Sequence, residues 1–94
     1  GCGAGLLSEA MAQAGTAAGL PQALAEKLAR ETVAGSGELL HRSPLPAATL
    51  RQNVTSPGGT TAAALDVLMA NDGVPPLMTK AIAAATRRGK ELAG

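Results

Sequence analysis

The chain of 94 residues contains no phenylalanine, tyrosine or tryptophan, although 46% of it is apolar. Alanine and leucine supply most of that apolar content. Alanine favours helix but buries little area, whereas aromatic side chains usually contribute the largest buried area per residue. A domain of this length also buries only a limited fraction of its surface. The composition therefore predicts helices that need a partner surface, and hence an obligate oligomer.

The charge pattern argues against several classes of partner. The net charge is +1, with basic and acidic residues interspersed, and there are no aromatic rings on which bases could stack, so nucleic acid is not an expected partner. No apolar run reaches the roughly 18 residues of a membrane span, and no signal sequence is recognisable at the start. The single cysteine, Cys2, cannot form an internal disulfide, which fits a reducing compartment. These features predict a cytoplasmic protein.

The spacing of apolar residues predicts an all-α chain, because apolar positions recur every three or four residues and no useful segment alternates with period two. Gly19 stands where helices commonly end in a left-handed residue, and Pro21 suits the first turn of the next helix. All 94 residues are predicted to form one domain. The five predicted helices are Leu6–Ala18, Pro21 to Leu40 or His41, Pro46–Asn53, Thr61 to about Ala70, and a last helix opened by Pro75 or Pro76 that includes Leu92.

Each of the four longer helices carries a row of apolar residues that is expected to face inward. The rows are Leu7, Met11, Ala14 and Ala18; Leu24, Leu28, Val33, Leu39 and Leu40; Leu65, Leu68 and Met69; and Met78, Ile82, Ala85 and Leu92. Away from its row, the second helix has Glu26 and Arg30 at the spacing of an i,i+4 ion pair. Gly35 and Gly37 interrupt the same helix, each at a cost of roughly 1 kcal/mol relative to alanine. They indicate a close helix–helix crossing or a kink.

Three other patterns carry no functional prediction. The glycines of Gly1–Gly5 lack the preceding strand that a dinucleotide-binding loop needs. His41 is the only histidine and has no second ligand at metal-binding spacing, so no metal site is predicted. Asn53-Val54-Thr55 matches the N-glycosylation pattern, but without a secretion signal the match is attributed to chance.

The segment Ser56-Pro57-Gly58-Gly59-Thr60-Thr61 interrupts the alanine-rich helical pattern. In one interpretation it is a tight turn, with Thr60 as an ordinary N-cap. In the other it is a binding site, because a helix N-terminus presents unpaired amides and a positive dipole, and the glycines let an anion approach them. Two glycines between three hydroxyl residues exceed what a cap requires. The residues alone leave both interpretations open.

The segment NVTSPGGTTAAALDVL, residues 53–68, resembles the signature region of the pyrroline-5-carboxylate reductase family. AGLPQALAEKLARETVAGSGELL, residues 18–40, resembles the second helix of that family's C-terminal domain, and AIAAATRRGKEL, residues 81–92, resembles its last helix. The resemblance covers nearly the whole chain in the same order. It implies an all-α, five-helix domain that interlocks with a second copy, as in the 6-phosphogluconate-dehydrogenase-like C-terminal domains, with a possible further assembly of dimers.

The resemblance also implies a function. The family reduces 1-pyrroline-5-carboxylate to L-proline with NADPH or NADH, and the Rossmann domain that binds the cofactor is absent here. This fragment is therefore expected to bind no cofactor and to be inactive alone. Family positions that hold the substrate carboxylate match Ser56, Gly58, Gly59, Thr60 and Thr61, and a position lining the ring matches Val54. Thr61 matches the residue near the imine nitrogen and is the predicted catalytic residue.

The beginning of the chain departs from the family pattern. Gly1-Cys2-Gly3 resembles the Gly-Ser-Gly that follows the Rossmann domain, but Ala4-Gly5-Leu6-Leu7 stands where the family has Pro-Ala and an aromatic residue. A shortened first helix is expected. Two alternatives remain beside the main prediction: a purely structural helical dimerisation module, and a reductase relative that acts on another cyclic imine.

Overall fold

The computed structural model of the chain describes residues 2–94. Predictions that concern Gly1 or the side chain of Cys2 fall outside the described residues. Within 2–94 the secondary structure is entirely helical, which confirms the predicted all-α class. The helices are α1 (Cys2–Ala17), α2 (Gln22–Arg42), α3 (Ala47–Asn53), α4 (Thr60–Leu68) and α5 (Val74–Ala93).

The break between α1 and α2 follows the glycine and proline signals. Gly19 has a φ of 111°, the left-handed conformation that was predicted for it. The Leu20 amide donates to the Gly15 carbonyl at 3.0 Å, which closes the end of α1. Pro21 is the N-cap of α2 rather than its first helical residue. Helix α1 begins four residues before the predicted Leu6, so its N-terminal glycines are helical and do not form a loop.

The chain divides into two compact units, an N-terminal unit that ends at Ala47 and a C-terminal unit that begins at Ala48. In the N-terminal unit, α1 and α2 pack against each other along a seam of small residues. A Cβ on Gly15 would lie 3.2 Å from the Ala25 Cβ, so the two helices approach closely at this point. Ala25 and Ala29, 3% and 4% exposed, are the only buried side chains in the described residues.

The prediction that leucines would form the interior of α2 is wrong within one chain. Leu24, Leu28, Leu39 and Leu40 are all more than two-fifths exposed, while Val33 is half-buried. The physical reason is the seam: small residues bring the helix axes close together, and the larger side chains one position away are left outside the contact. The apolar pattern correctly marked an apolar surface but not the surface that α1 covers.

The two sides of the α1–α2 hairpin differ in chemistry. On α2, each residue that follows a seam position by one, such as Glu26 or Arg30, lines an open cleft of about 920 Å³ between the helices. Residues that precede a seam position by one, such as Leu24 and Leu28, therefore lie on the other side, since each step around a helix turns by about 100°. We call that side the leucine face, defined by Leu7, Leu24, Leu28, Gly35 and Leu39.

The C-terminal unit contains α3, α4 and α5, and within it no two helices pack extensively in the described residues. On α4, Leu65 is half-buried, whereas the predicted inward residues Leu68 and Met69 are about half exposed. The predicted buried row of α5 is also exposed; we call it the α5 face, defined by Met78, Ile82, Ala85, Gly89 and Leu92. The row is apolar, as expected, but no helix of this unit packs extensively on it.

Ion pairs add little to either unit. The predicted Glu26–Arg30 pair is not formed; instead the Gln22 side-chain amide donates to Glu26 at 3.3 Å. The pairs found among residues 2–94 are Glu38–Arg42 and Arg88–Glu91, both within one helix and both exposed. Exposed pairs of this kind contribute at most about 1 kcal/mol to the free energy of unfolding.

Gly73 should be the least replaceable residue of the turn before α5. A Cβ at this position would lie 2.2 Å from the Leu68 carbonyl oxygen and 3.1 Å from the Ala70 nitrogen, so the backbone would have to move. We expect Gly73→Ala to lower the free energy of unfolding by about 1–3 kcal/mol, the usual cost of overpacking, as measured by urea denaturation at fixed protein concentration. Gly5→Ala is the matched control because nothing lies within 4 Å of that position. Equal stability of the two variants would contradict the packing of this turn.

Candidate functional site

The segment between α3 and α4 forms a tight turn. The Gly59 amide donates to the Ser56 carbonyl at 3.0 Å, and Gly58 has a φ of 72°. Proline followed by a residue with positive φ is the arrangement of a type II turn. Glycine adopts that conformation without the steric cost that a Cβ brings. The turn interpretation of this segment is therefore confirmed for Ser56 to Gly59.

The predicted N-cap is one residue too late. Gly59 is the N-cap of α4, with extended backbone (φ −84°, ψ −178°) and no side chain to satisfy the helix amides. Thr60 is already the first helical residue. Ala63 is the first residue of α4 whose amide finds a carbonyl, that of Gly59 at 3.1 Å. Among the described residues, the Thr60, Thr61 and Ala62 amides have no backbone acceptor. These amides form the positive end of the helix and are available to an anion.

Hydroxyl groups surround this helix start. Ser56 and Thr60 are exposed and Thr61 is half-buried. None of the three hydroxyls makes a hydrogen bond to another group within residues 2–94. Free donors therefore lie on the turn and on the first turn of α4. Val54, 65% exposed, precedes them in the chain and directly follows α3. The structure thus brings all six predicted site residues into one continuous segment; their roles stay predictions.

The turn has room for a side chain at Gly58 but little room at Gly59. A Cβ on Gly59 would lie 3.2 Å from the Ser56 carbonyl oxygen, whereas a Cβ on Gly58 would meet nothing within 4 Å. The two glycines therefore have different structural roles. Gly58 adopts the positive φ of the turn, whereas Gly59 leaves room for the Ser56 carbonyl oxygen. Because Gly59 is the N-cap of α4, no Cβ stands beside the first amides of that helix at this position.

Thr55 is a residue of this region that the sequence interpretation missed. Its hydroxyl donates to the Arg51 carbonyl at 2.7 Å, and the contact is partly buried. The bond ties the segment before the turn to the last turn of α3. A threonine four residues after a helical carbonyl commonly makes this contact, so the spacing from Arg51 was an available signal.

Other kinds of site find no support in the described residues. No three or more His, Cys, Asp or Glu side chains among them are grouped so that they could hold a metal ion. No helix within the same range combines enough length with enough apolar character to cross a membrane. The polar group at the start of α4 is the strongest candidate for a binding site.

The sequence model of the family described as "Pyrroline-5-carboxylate reductase dimerisation" matches residues 1–92. The chain belongs to this family. The match confirms the resemblance carried by residues 18–40, 53–68 and 81–92. It also explains why so few side chains of one chain are buried. A domain whose family is named for dimerisation is expected to complete its core with a partner.

Curated relatives agree with this assignment. The chain is 45% identical over 87 residues to the pyrroline-5-carboxylate reductase of Synechocystis sp., and 46% identical over 88 residues to that of Thermus thermophilus. Each match covers 93% of this chain and 32% of the relative. The reductase of Arabidopsis thaliana is 41% identical over 87 residues, which cover 31% of its length. The chain thus spans about a third of the length of these relatives.

Proposed function

We propose that this chain is the C-terminal, dimer-forming and substrate-binding domain of a pyrroline-5-carboxylate reductase. The observation that carries the proposal is the open N-terminus of α4, where three unpaired amides, two glycines and three free hydroxyls meet in a chain of this family. The whole enzyme reduces the imine of 1-pyrroline-5-carboxylate to L-proline. The relatives carry the name of that reaction.

The substrate carboxylate binds at the α4 N-terminus. Its oxygens accept hydrogen bonds from the Thr60 and Thr61 amides and from the Ser56 hydroxyl, and the helix dipole favours the negative charge. Hydrogen bonds to a charged group contribute about 1.5–3 kcal/mol each, more than neutral ones. Val54 supplies the apolar surface for the ring. The half-buried Thr61 places its hydroxyl toward the imine nitrogen, which it polarises as a hydrogen-bond donor.

The reduced nicotinamide of NADPH or NADH supplies the hydride. In the whole reductase a Rossmann domain would hold it, and the role proposed for this chain is to hold the substrate. Addition of a hydride to the imine carbon, with a proton taken up by the nitrogen from solvent water, would yield the secondary amine of proline. Holding the carboxylate and the imine nitrogen fixes the ring relative to the cofactor, and such positioning is the contribution of this domain to catalysis.

Dimerisation is the second part of the function. The described residues bury only two alanine side chains, and every large apolar residue on the leucine face and on α5 is exposed. Exposed apolar patches of this extent mark interaction surfaces. We expect the chain to sediment as a twofold dimer at micromolar concentration; a folded monomer there would overturn this part of the proposal.

The carboxylate site can be tested in the chain itself. We expect L-proline to shift the amide resonances of Gly59, Thr60, Thr61 and Ala62 in a ¹⁵N-labelled sample of these 94 residues, with millimolar affinity because that sample holds only the carboxylate side of the proposed substrate pocket. Pyrrolidine, which has the ring and lacks the carboxylate, is the matched control and should leave these resonances in place. Equal shifts from both compounds, or none from proline, would instead favour a purely structural dimerisation module.

Replacing Thr61 tests the catalytic assignment in the full-length reductase. Thr61→Val keeps the shape and removes the hydroxyl, which leaves a polar group of the substrate unpaired at a cost of roughly 1–3 kcal/mol. We expect kcat/KM for the imine to fall about tenfold or more, with no change in the Kd of the nicotinamide cofactor. Thr79→Val is the control, since that hydroxyl bonds the Pro75 carbonyl on α5 and should have no effect on kcat/KM. Unchanged kinetics in Thr61→Val would remove this residue from the reaction.

A further inference from the structure

The segment that joins α3 to the turn at Ser56 consists of two residues, Val54 and Thr55. The Val54 amide donates to the Arg51 carbonyl at 3.3 Å, and the Thr55 amide donates to the Gln52 carbonyl at 3.1 Å. Both bonds reach back three residues, as in the 3₁₀ turns that often end an α-helix. The chain therefore remains attached to α3 up to the residue before Ser56.

The side chain of Thr55 strengthens this attachment. Its hydroxyl donates to the Arg51 carbonyl at 2.7 Å in a partly buried contact. That carbonyl belongs to the last turn of α3, where carbonyls have no partner within the helix. The Val54 amide donates to the same oxygen at 3.3 Å, which exceeds the usual length of an N–H···O bond. The Thr55 hydroxyl is thus the better placed of the two donors to this carbonyl.

On the other side of Thr55, one hydrogen bond closes the turn, from the Gly59 amide to the Ser56 carbonyl at 3.0 Å. Ser56 is therefore the residue at which the segment held by α3 meets the turn that starts α4. Its own side chain makes no hydrogen bond within residues 2–94. The position of the Ser56 side chain relative to the α4 amides is consequently set by the backbone on both sides of it.

Two other threonines make the same kind of bond without holding a loop. The Thr32 hydroxyl donates to the Leu28 carbonyl at 2.7 Å, and the Thr79 hydroxyl donates to the Pro75 carbonyl at 3.0 Å. Both contacts are exposed and lie inside helices, α2 and α5, whose backbone hydrogen bonds already fix these residues. Thr55 instead lies two residues after the end of α3. Its hydroxyl therefore fixes a segment that no continuing helix holds.

We propose that Thr55 is a positioning residue of the carboxylate site. Its hydroxyl fixes the segment before the turn to α3, and thereby holds the Ser56 hydroxyl where it donates to the substrate carboxylate. The inference rests on the proposed function and adds to it a residue that does not touch the substrate. Because Thr61 lies beyond the turn, inside α4, its contact with the imine nitrogen does not depend on this bond. Loss of the Thr55 hydroxyl should therefore weaken substrate binding and leave the hydride-transfer step nearly unchanged.

Steady-state kinetics of the full-length reductase test this role. Thr55→Val keeps the shape of the side chain and removes the hydroxyl. We expect KM for the imine and Ki of L-proline as product inhibitor to rise about fivefold, the usual effect of one lost hydrogen bond. The kcat and the Kd of the nicotinamide cofactor should change by less than about twofold, as they do when only substrate binding is weakened. Thr55→Ser retains the donor and should restore KM and Ki. Unchanged constants in Thr55→Val, or equal constants in the two variants, would contradict the proposal.

Thr32→Val is the matched control for an effect on stability. It removes a hydroxyl bond of the same length, 2.7 Å, from α2. If Thr55 served only the stability of the fold, both variants would lower the midpoint of urea denaturation and neither would raise KM. We expect the two midpoints to fall to a similar extent, and KM to rise only in Thr55→Val. A comparable rise of KM in Thr32→Val would show that the effect is one of general destabilisation, and the proposal would be wrong.

A double-mutant cycle with Ser56→Ala tests whether Thr55 acts through Ser56. Ser56→Ala removes a donor to a charged group and should raise KM about tenfold or more. Residues that act as a unit have non-additive effects, so in the Ser56→Ala background Thr55→Val should raise KM by less than about twofold further. The same rise of about fivefold in both backgrounds would overturn the proposal and leave the carboxylate site intact. An unchanged KM in Ser56→Ala would overturn the carboxylate site and this inference with it.

Discussion

Gly59→Val should abolish most of the activity of the full-length reductase, with kcat/KM reduced about a hundredfold and cofactor affinity unchanged. Gly59 is the N-cap of α4, and a Cβ there would lie 3.2 Å from the Ser56 carbonyl oxygen. The branched side chain of valine would cover the helix end and keep the carboxylate away from the Thr60 and Thr61 amides. Losing two charge-assisted hydrogen bonds of about 1.5 kcal/mol each corresponds to roughly a hundredfold in binding.

The control for this variant separates access from backbone conformation. The positive φ of the turn belongs to Gly58 and not to Gly59, whose φ is −84°. Asparagine tolerates the left-handed region better than other residues with a side chain, and nothing lies near a Cβ at position 58. Gly58→Asn should therefore keep most of the activity. If Gly59→Val also keeps it, the α4 N-terminus does not hold the substrate, and the turn serves only to start a helix.

Gly35→Leu should convert the dimer into monomers, whereas Gly37→Leu should not. Gly35 lies on the leucine face, seven residues after Leu28, whereas Gly37 is two residues further on and so lies about 200° around the helix from Gly35. Overpacking a close contact costs roughly 1–3 kcal/mol, and a twofold dimer contains the change twice, so we expect the dimer Kd to rise at least about thirtyfold. Sedimentation over a dilution series gives the two dissociation constants.

Whether the dimer Kd rises or falls in Gly35→Leu distinguishes a close helix crossing at this glycine from a glycine that is merely tolerated. Were Gly35 merely tolerated on an apolar surface, a leucine there would extend that surface and tighten the dimer. A lower Kd for Gly35→Leu would thus contradict a close crossing at this position. Gly37→Leu controls for the change in helix propensity, since leucine favours helix over glycine by a similar amount at both positions.

Local conformation was largely predictable from the sequence. The left-handed Gly19 and the turn at Pro57-Gly58 follow from backbone sterics that act within a few residues, and the structure contains both. Helix boundaries were less predictable. Helix α1 begins before Leu6 because its glycines are tolerated in the first turns, and the N-cap of α4 falls on Gly59 because the turn closes there and leaves Thr60 inside the helix.

The interior was the least predictable part. The periodicity of Leu24 and Leu28 identifies an apolar face, but periodicity does not say which neighbour will cover it. Ala25 and Ala29 lie on a different face of the same helix. Because these residues and Gly15 are small, α1 and α2 approach each other on that face and not on the leucine face. For the candidate site, the motif located the segment, and the spacing of Thr55 from Arg51 was enough to predict their hydrogen bond. The free amides of α4 were not predictable because they depend on where the turn closes.

The seam of Gly15, Ala25 and Ala29 affects how the protein folds. Methyl-sized contacts contribute little free energy, so closing the hairpin stabilises this domain little, and in the proposed dimer most of the stabilisation would come from the second copy. Folding coupled to formation of the proposed dimer would follow second-order kinetics, and dilution would slow it. The thermal midpoint would accordingly rise with the logarithm of protein concentration. A gene dose that changes the amount of chain would change its stability as well as its quantity.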